Sequence, residues 1–105
     1  MPGKNSASIK NWPEDERPRE RLIKYGSSSM SDAHLLGILI GSGDRRARKN
    51  AVDLSRDLLN KFGTLESIDQ ASITEICQIQ GIGAAKAAQI KAALEVGKRM
   101  AAKTS

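Results

Sequence analysis

Apolar residues recur along this 105-residue chain at steps of three and four rather than two, which predicts helices throughout. Pro18 suits a first helical turn, and the helix it opens carries Leu22 and Ile23 before Gly26-Ser27-Ser28-Ser29 breaks it. Ser31 is placed to cap a second helix, Asp32 to about Ile40, with Met30 stapling onto Leu35. This segment is apolar nearly all round and is expected at the centre. Gly41-Ser42-Gly43 ends it. Ala51, Leu54, Leu58 and Phe62 mark one face of a long amphipathic helix expected from Asp44 to Phe62, and Gly63 stops it. Thr64 caps a short helix to about Gln70. Ser72-Ile73-Thr74-Glu75 has the form of a capping box ahead of the stripe Ile73, Ile76, Ile79. A last helix runs from Ala84 to about Ala101, with Ala87, Ile90, Leu94 and Gly97 facing inward and Lys91, Glu95 and Arg99 on another face as i,i+4 partners. The pattern predicts an all-α bundle of five to six helices. Residues 1–15 are expected to be a flexible lead-in, 16–101 the domain, and 102–105 a disordered end.

Composition sharpens this picture. Thirteen Ala and nine Leu against two Val and three Thr favour helix, and with Trp12, Tyr25 and Phe62 the only aromatics the core must be aliphatic. Cys77 is the only cysteine, so an internal disulfide is excluded and no zinc site can be built from thiols. It is expected to fill apolar space beside the Ile76/Ile79 stripe. No apolar run nears the ~20 residues of a membrane span, and the opening residues lack the apolar stretch of a signal peptide. A cytoplasmic protein without a membrane partner is the expectation.

The net charge is +5, concentrated in three blocks, 17–30, 44–63 and 81–105, with neutral or acidic stretches between them. Such clustering invites a polyanion, most often nucleic acid, although basic helix faces also occur simply as solvated surface. Arg45, Arg46, Arg48 and Lys49 fall in the first turns of the helix expected from Asp44. There they oppose the helix dipole, a conflict that a bound anion would relieve.

The most informative stretch is Ile76-Cys77-Gln78-Ile79-Gln80-Gly81-Ile82-Gly83-Ala84-Ala85-Lys86-Ala87. It resembles the helix-hairpin-helix motif of DNA-binding proteins. Gly81 and Gly83 allow positive φ and leave no Cβ between backbone and ligand. Ile82 can plug the gap between two helices whose crossing Ala87 and Ala88 keep close. Amides at Gly83, Ala84 and Ala85 then open the last helix as an anion site, with Lys86 one turn in. A Gly-x-Gly between helices also occurs as a plain tight turn. A shift of 40 residues places Gly41, Ser42, Gly43, Arg46 and Ala47 on Gly81, Ile82, Gly83, Lys86 and Ala87. A degenerate duplication would give a paired, SAM-like arrangement gripping both strands of a duplex, weakened by polar Ser42 where a plug is needed. The candidate DNA-binding residues are therefore Gly81, Ile82, Gly83, Ala84, Ala85 and Lys86, joined by Gly41, Ser42, Gly43, Arg45, Arg46 and Lys49.

A wider resemblance covers about residues 9–100. Ile9-Lys10, Trp12-Pro13, Asp15-Glu16-Arg17-Pro18-Arg19-Glu20-Arg21-Leu22, Met30-Ser31-Asp32-Ala33-His34-Leu35-Leu36, Phe62-Gly63-Thr64-Leu65, Gly81-Ile82-Gly83 and Lys86-Ala87 together resemble the N-terminus of the RadC family. The resemblance implies a bacterial protein labelled for DNA repair. It also implies an attached C-terminal domain similar to JAB/MPN metallopeptidases, with a His-x-His…Asp zinc signature. That signature is not in this sequence, whose only histidine is His34, so the resemblance implies the N-terminal module alone.

No catalytic constellation is legible, and neither an enzyme nor a cofactor is expected. The glycosylase branch of hairpin proteins places an Asp after a Gly-Pro stretch, whereas here no Asp follows Asp69 and no Pro follows Pro18. His34 reads as a partly buried or capping residue. The Arg17-Pro18-Arg19-Glu20-Arg21 run has two readings, a clasp onto the acidic 64–80 block or a contact to phosphate or to the absent domain. Few aromatics argue against a single-strand stacking platform, and no helix aims Asn, Gln and Arg at base edges. The expected partner is duplex or branched DNA held by its backbone. The competing reading is a protein-interaction module that positions the metallopeptidase-like domain.

Overall fold

Side-chain capping decides where most of the helices begin. The structure is a computed structural model describing residues 8–104. Helix α1 (Pro18–Tyr25) opens on its proline. At α2 (Asp32–Ile40), the His34 amide donates to Ser31 Oγ at 3.2 Å. Helix α3 (Ala51–Phe62) starts from a reciprocal box. The Asp53 amide donates to Asn50 Oδ1 at 2.8 Å, and the Asn50 amide to Asp53 Oδ2 at 3.0 Å. Thr64 caps α4 (Leu65–Gln70), and a Ser72/Glu75 box caps α5 (Ile73–Ile76). Helix α6 (Ala84–Thr104) closes the chain. The fold is all-α, with no β-strand among the described residues.

Helix α2 packs against α1, α3 and α6 and forms the centre, as its all-round apolarity demands. Its Gly37 lies against α3 so closely that an added Cβ would sit 3.2 Å from Val52 Cγ2. Leu36 and Ile40 of α2 join Leu54 and Leu58 of α3, Ile68 of α4, Ile76 of α5, and Ala87 and Ile90 of α6 in one aliphatic core. Phe62, Cys77 and Leu94 pack against it, partly buried.

Two boundaries depart from expectation. Helix α3 begins at Ala51, not at Asp44, because residues 44–49 close on themselves first. Asp44 and Lys49 form an antiparallel bridge, amide to carbonyl at 2.8 and 3.1 Å, and Asp44 Oδ2 takes the Ala47 amide at 2.8 Å. A short carboxylate competing for nearby amides breaks helical pairing in this way. Arg48 then adopts φ 56°, which no helix accommodates. The dipole conflict expected for the four basic residues therefore does not arise, and Asp53 occupies the first turn of α3 instead. At the other end, α6 continues through Thr104, past the expected Ala101 and into the 102–105 segment expected to be disordered. Within the lead-in, 3-10 turns form over Ile9–Asn11 and Glu14–Glu16, and Ile9 packs onto the core. Residues 1–7 and Ser105 lie outside the described residues.

His34 is partly buried, with Nδ1 3.0 Å from the Ser31 cap hydroxyl. Burial, with the Arg56 and Arg21 charges adding to it, holds its imidazole below the usual range. The folded state thus binds fewer protons than the unfolded one. Stability is then complete above the ordinary histidine pKa of about 6.5 and falls as pH drops through the lower folded value. Urea midpoints should decline as pH falls from ~7 to ~5, and His34→Gln should remove that part of the decline.

Candidate nucleic-acid interface

The α5–α6 connection is a tight hairpin. The amides of Gln78, Ile79 and Ile82 donate to the carbonyls of Glu75, Ile76 and Ile79 at 3.2, 3.1 and 3.1 Å. Ile82 is only 3% exposed, between the helices. Gly81 carries the positive φ, +99°, and an added Cβ there would meet Leu54 Cδ2 at 2.8 Å. Gly83, expected to need positive φ as well, does not have it, and nothing lies within 4 Å of where its Cβ would be. Gly83, Ala84 and Ala85 are exposed. Backbone pairing across the start of α6 begins with the Ala87 amide on Gly83 O at 3.0 Å, so the amides of Ala84, Ala85 and Lys86 stand at its open end.

The 41–50 connection is not a second hairpin of this kind. Ser42 is exposed rather than a plug, and Gly43 is needed for close approach, since a Cβ there would sit 2.1 Å from Lys49 O. Yet the two glycine segments meet. A Cβ on Gly81 would lie 3.2 Å from Asp44 Cβ and 3.5 Å from Ala47 Cβ, so the turn holding Arg45, Arg46 and Arg48 abuts the α5–α6 hairpin. The resemblance at a shift of 40 residues thus marks two segments in contact, built differently.

Among the described residues, Arg45, Arg46, Arg48 and Lys86 make no ion pair. Lys49, named with them from sequence, is instead bound to Asp57 of α3. The Arg17–Arg21 run does not clasp the acidic 64–80 block either. Arg17 Nε donates to Trp12 O at 3.0 Å and Arg21 to Asp15 O at 3.4 Å, while Asp69 of that block is taken by Lys98 at 2.9 Å. Lys91 is drawn away from Glu95 and donates to the Asp69 and Ala71 carbonyls, leaving Glu95 with Lys98 and Arg99. Four of the cations without an ion pair among the described residues, Arg45, Arg46, Arg48 and Lys86, lie on the hairpin and the turn.

Arg48 was not singled out from sequence as strained. A non-glycine residue at left-handed φ costs on the order of 1 kcal/mol, and such strain clusters at functional positions. Arg48→Gly should raise stability by about 0.5–1 kcal/mol in urea denaturation, because glycine takes φ 56° without penalty.

The model of the UPF0758 N-terminal family matches residues 9–88. This chain belongs to that family. A UPF0758 protein of Geotalea uraniireducens is 51% identical over 98 residues, which is 93% of this chain and 43% of the relative. One of Trichlorobacter lovleyi is 53% identical over 97 residues, 91% of this chain and 42% of the relative. One of Geobacter sulfurreducens is 46% identical over 95 residues, 90% and 42% respectively. The chain therefore spans about two-fifths of the length of these UPF0758 relatives. No solved structure matches it. Among its described residues no group of three or more His, Cys, Asp or Glu could hold a metal ion. None of their helices is long and apolar enough to cross a membrane.

Proposed function

We propose that this UPF0758 N-terminal module binds DNA through the sugar-phosphate backbone, without sequence preference. The observation that carries the reading is the seating of the 45–48 turn, with three unpaired arginines, against a glycine hairpin whose helix-opening amides are exposed. Lys86 adds a fourth cation beside those amides. Phosphate suits this combination, since backbone amides at a helix start orient an oxygen and nearby guanidinium groups supply charge. Base readout is not part of the proposal, for among the described residues no helix presents a row of Asn, Gln and Arg suited to groove edges. The resemblance of 76–87 to the helix-hairpin-helix motif and of 9–100 to the RadC family supports the same reading. The repair role implied by that second resemblance is part of the proposal, not of the family assignment.

The test is titration of this chain into fluorescent duplexes of unrelated sequence at several salt concentrations. Four phosphates neutralised should give a slope of log affinity on log salt of roughly −3 to −4, the same for every sequence. No binding at low salt, or a slope near zero, overturns it. A second reading, a module that positions the rest of the protein, is favoured by the length of the relatives beyond this region and by exposed Val96 and Met100 on α6. It predicts no affinity for duplex DNA.

A further inference from the structure

A second basic feature includes the 45–48 turn but extends to residues that the DNA reading does not use. The start of α1, the end of α2 and the 41–51 connection enclose a cleft of about 890 Å³, closed at one side by residues 8–10. Its cationic lining is Lys10, Arg17, Arg19, Arg45, Arg48 and Lys49, against the two carboxylates Glu20 and Asp44. Arg19 is exposed and makes no ion pair among the described residues, and it reaches toward Gly41, where its Nη2 would lie 4.0 Å from an added Cβ. Ile9, Pro18, Ile38 and Ala51 add apolar surface to the same lining, beside the polar Ser8, Ser42 and Asn50.

We propose that this cleft binds an acidic peptide segment carrying aliphatic side chains, a strand of Glu or Asp interleaved with Leu- or Ile-like anchors. A volume of about 890 Å³ falls within the roughly 300–1,000 Å³ range of ordinary ligand pockets and suits a short segment. The chemistry disfavours a single nucleic-acid strand. Neither Trp12, Tyr25 nor Phe62 lines the cleft, so bases find no ring to stack on, and its aliphatic side chains give nothing to a sugar-phosphate chain. Carboxylates, by contrast, suit planar guanidinium forks, and aliphatic anchors suit Ile9, Pro18, Ile38 and Ala51. The cleft shares Arg45 and Arg48 with the proposed DNA surface but has Arg19 to itself, and it contains no residue of the 81–86 hairpin. An acidic segment here therefore competes with DNA for the turn. The inference does not depend on DNA binding being correct.

The probe is a blocked hexapeptide of alternating Glu and Leu, titrated into the 105-residue chain and followed by amide chemical shifts. Amides at 17, 19–20, 37–38 and 41–51 should move, with those at 84–87 unmoved. Arg19→Ala should weaken the peptide about tenfold, the share of one charge-assisted bond, and leave the salt slope of duplex binding unchanged. Lys86→Ala should do the reverse, so the two readings fail separately. Arg19→Gln, which keeps a long polar side chain, guards against a fold defect and should weaken the peptide to a similar extent. A peptide with Gln in place of Glu, or hexaglutamate without anchors, should bind much more weakly. No shifts at millimolar peptide, equal binding of either control, or cleft amides that respond only to a single-stranded oligonucleotide would each overturn the proposal.

Discussion

Ile82→Ala is expected to cost about 2–4 kcal/mol, read as a lowered urea midpoint at unchanged m-value. Ile82 is 3% exposed and belongs to the same buried cluster as Leu54, Ile76 and Ile90. Truncation removes three carbons from a cluster that also holds buried Ala87, and close-packed surroundings do not readily collapse onto such a void. A loss below about 0.5 kcal/mol would place Ile82 against solvent and would sink the hairpin geometry. Gly81 and Gly83 provide an internal contrast. Gly81→Ala meets both φ +99° and Leu54 Cδ2 at 2.8 Å, so it should be destabilising, whereas Gly83→Ala enters open space and should be nearly neutral. The two glycines look equivalent in sequence, and only the first is structurally obligatory.

That contrast shows where the sequence was legible and where it was not. Helices whose first residue follows a Ser or Thr cap, α2, α4 and α5, begin where their caps predict, because capping is chemistry within four residues. The start of α3 was misplaced although its signal, Asn50 with Asp53, is equally local. Ala47 continues the helical spacing of Ala51 and Leu54 backwards, and this periodicity masked the box. What decides the matter is the Asp44–Lys49 bridge, made possible by the approach of Gly43 to Lys49 and leaned on by Gly81, distant in sequence. The basic residues of the candidate site were legible as a cluster, but their pairing was not. Lys49 is lost to Asp57 on α3, eight positions on, while Arg45 and Arg46 on the same turn stay unpaired. The cleft was not legible at all, since its walls come from three stretches of chain that only packing assembles.

The largest functional effect is expected from removing the unpaired cations together. Lys86→Ala should reduce the salt slope of duplex binding by about one unit, and Arg45→Ala with Arg46→Ala by about two, each equally for every sequence tested. At ~0.1 M salt one phosphate contact is worth about eightfold in affinity through counterion release, so the triple variant should lose on the order of 500-fold. The fold should survive, because Arg45 and Arg46 are exposed and Lys86 makes no ion pair among the described residues. Gly83→Val separates amides from charge. Its branched Cβ enters open space and leaves the core untouched, yet it crowds the approach to the Ala84 and Ala85 amides. Affinity should then fall while the salt slope changes by less than one unit, since no cation is lost. Chemical shifts on adding duplex DNA give the deciding map, with movement expected at 41–49 and 81–91. Shifts confined to 17–25, with both of those segments still, would remove the hairpin and the turn from the interface together. Binding would then belong to the α1 side of the molecule, whereas no shifts at all would leave the protein-positioning module as the reading that fits.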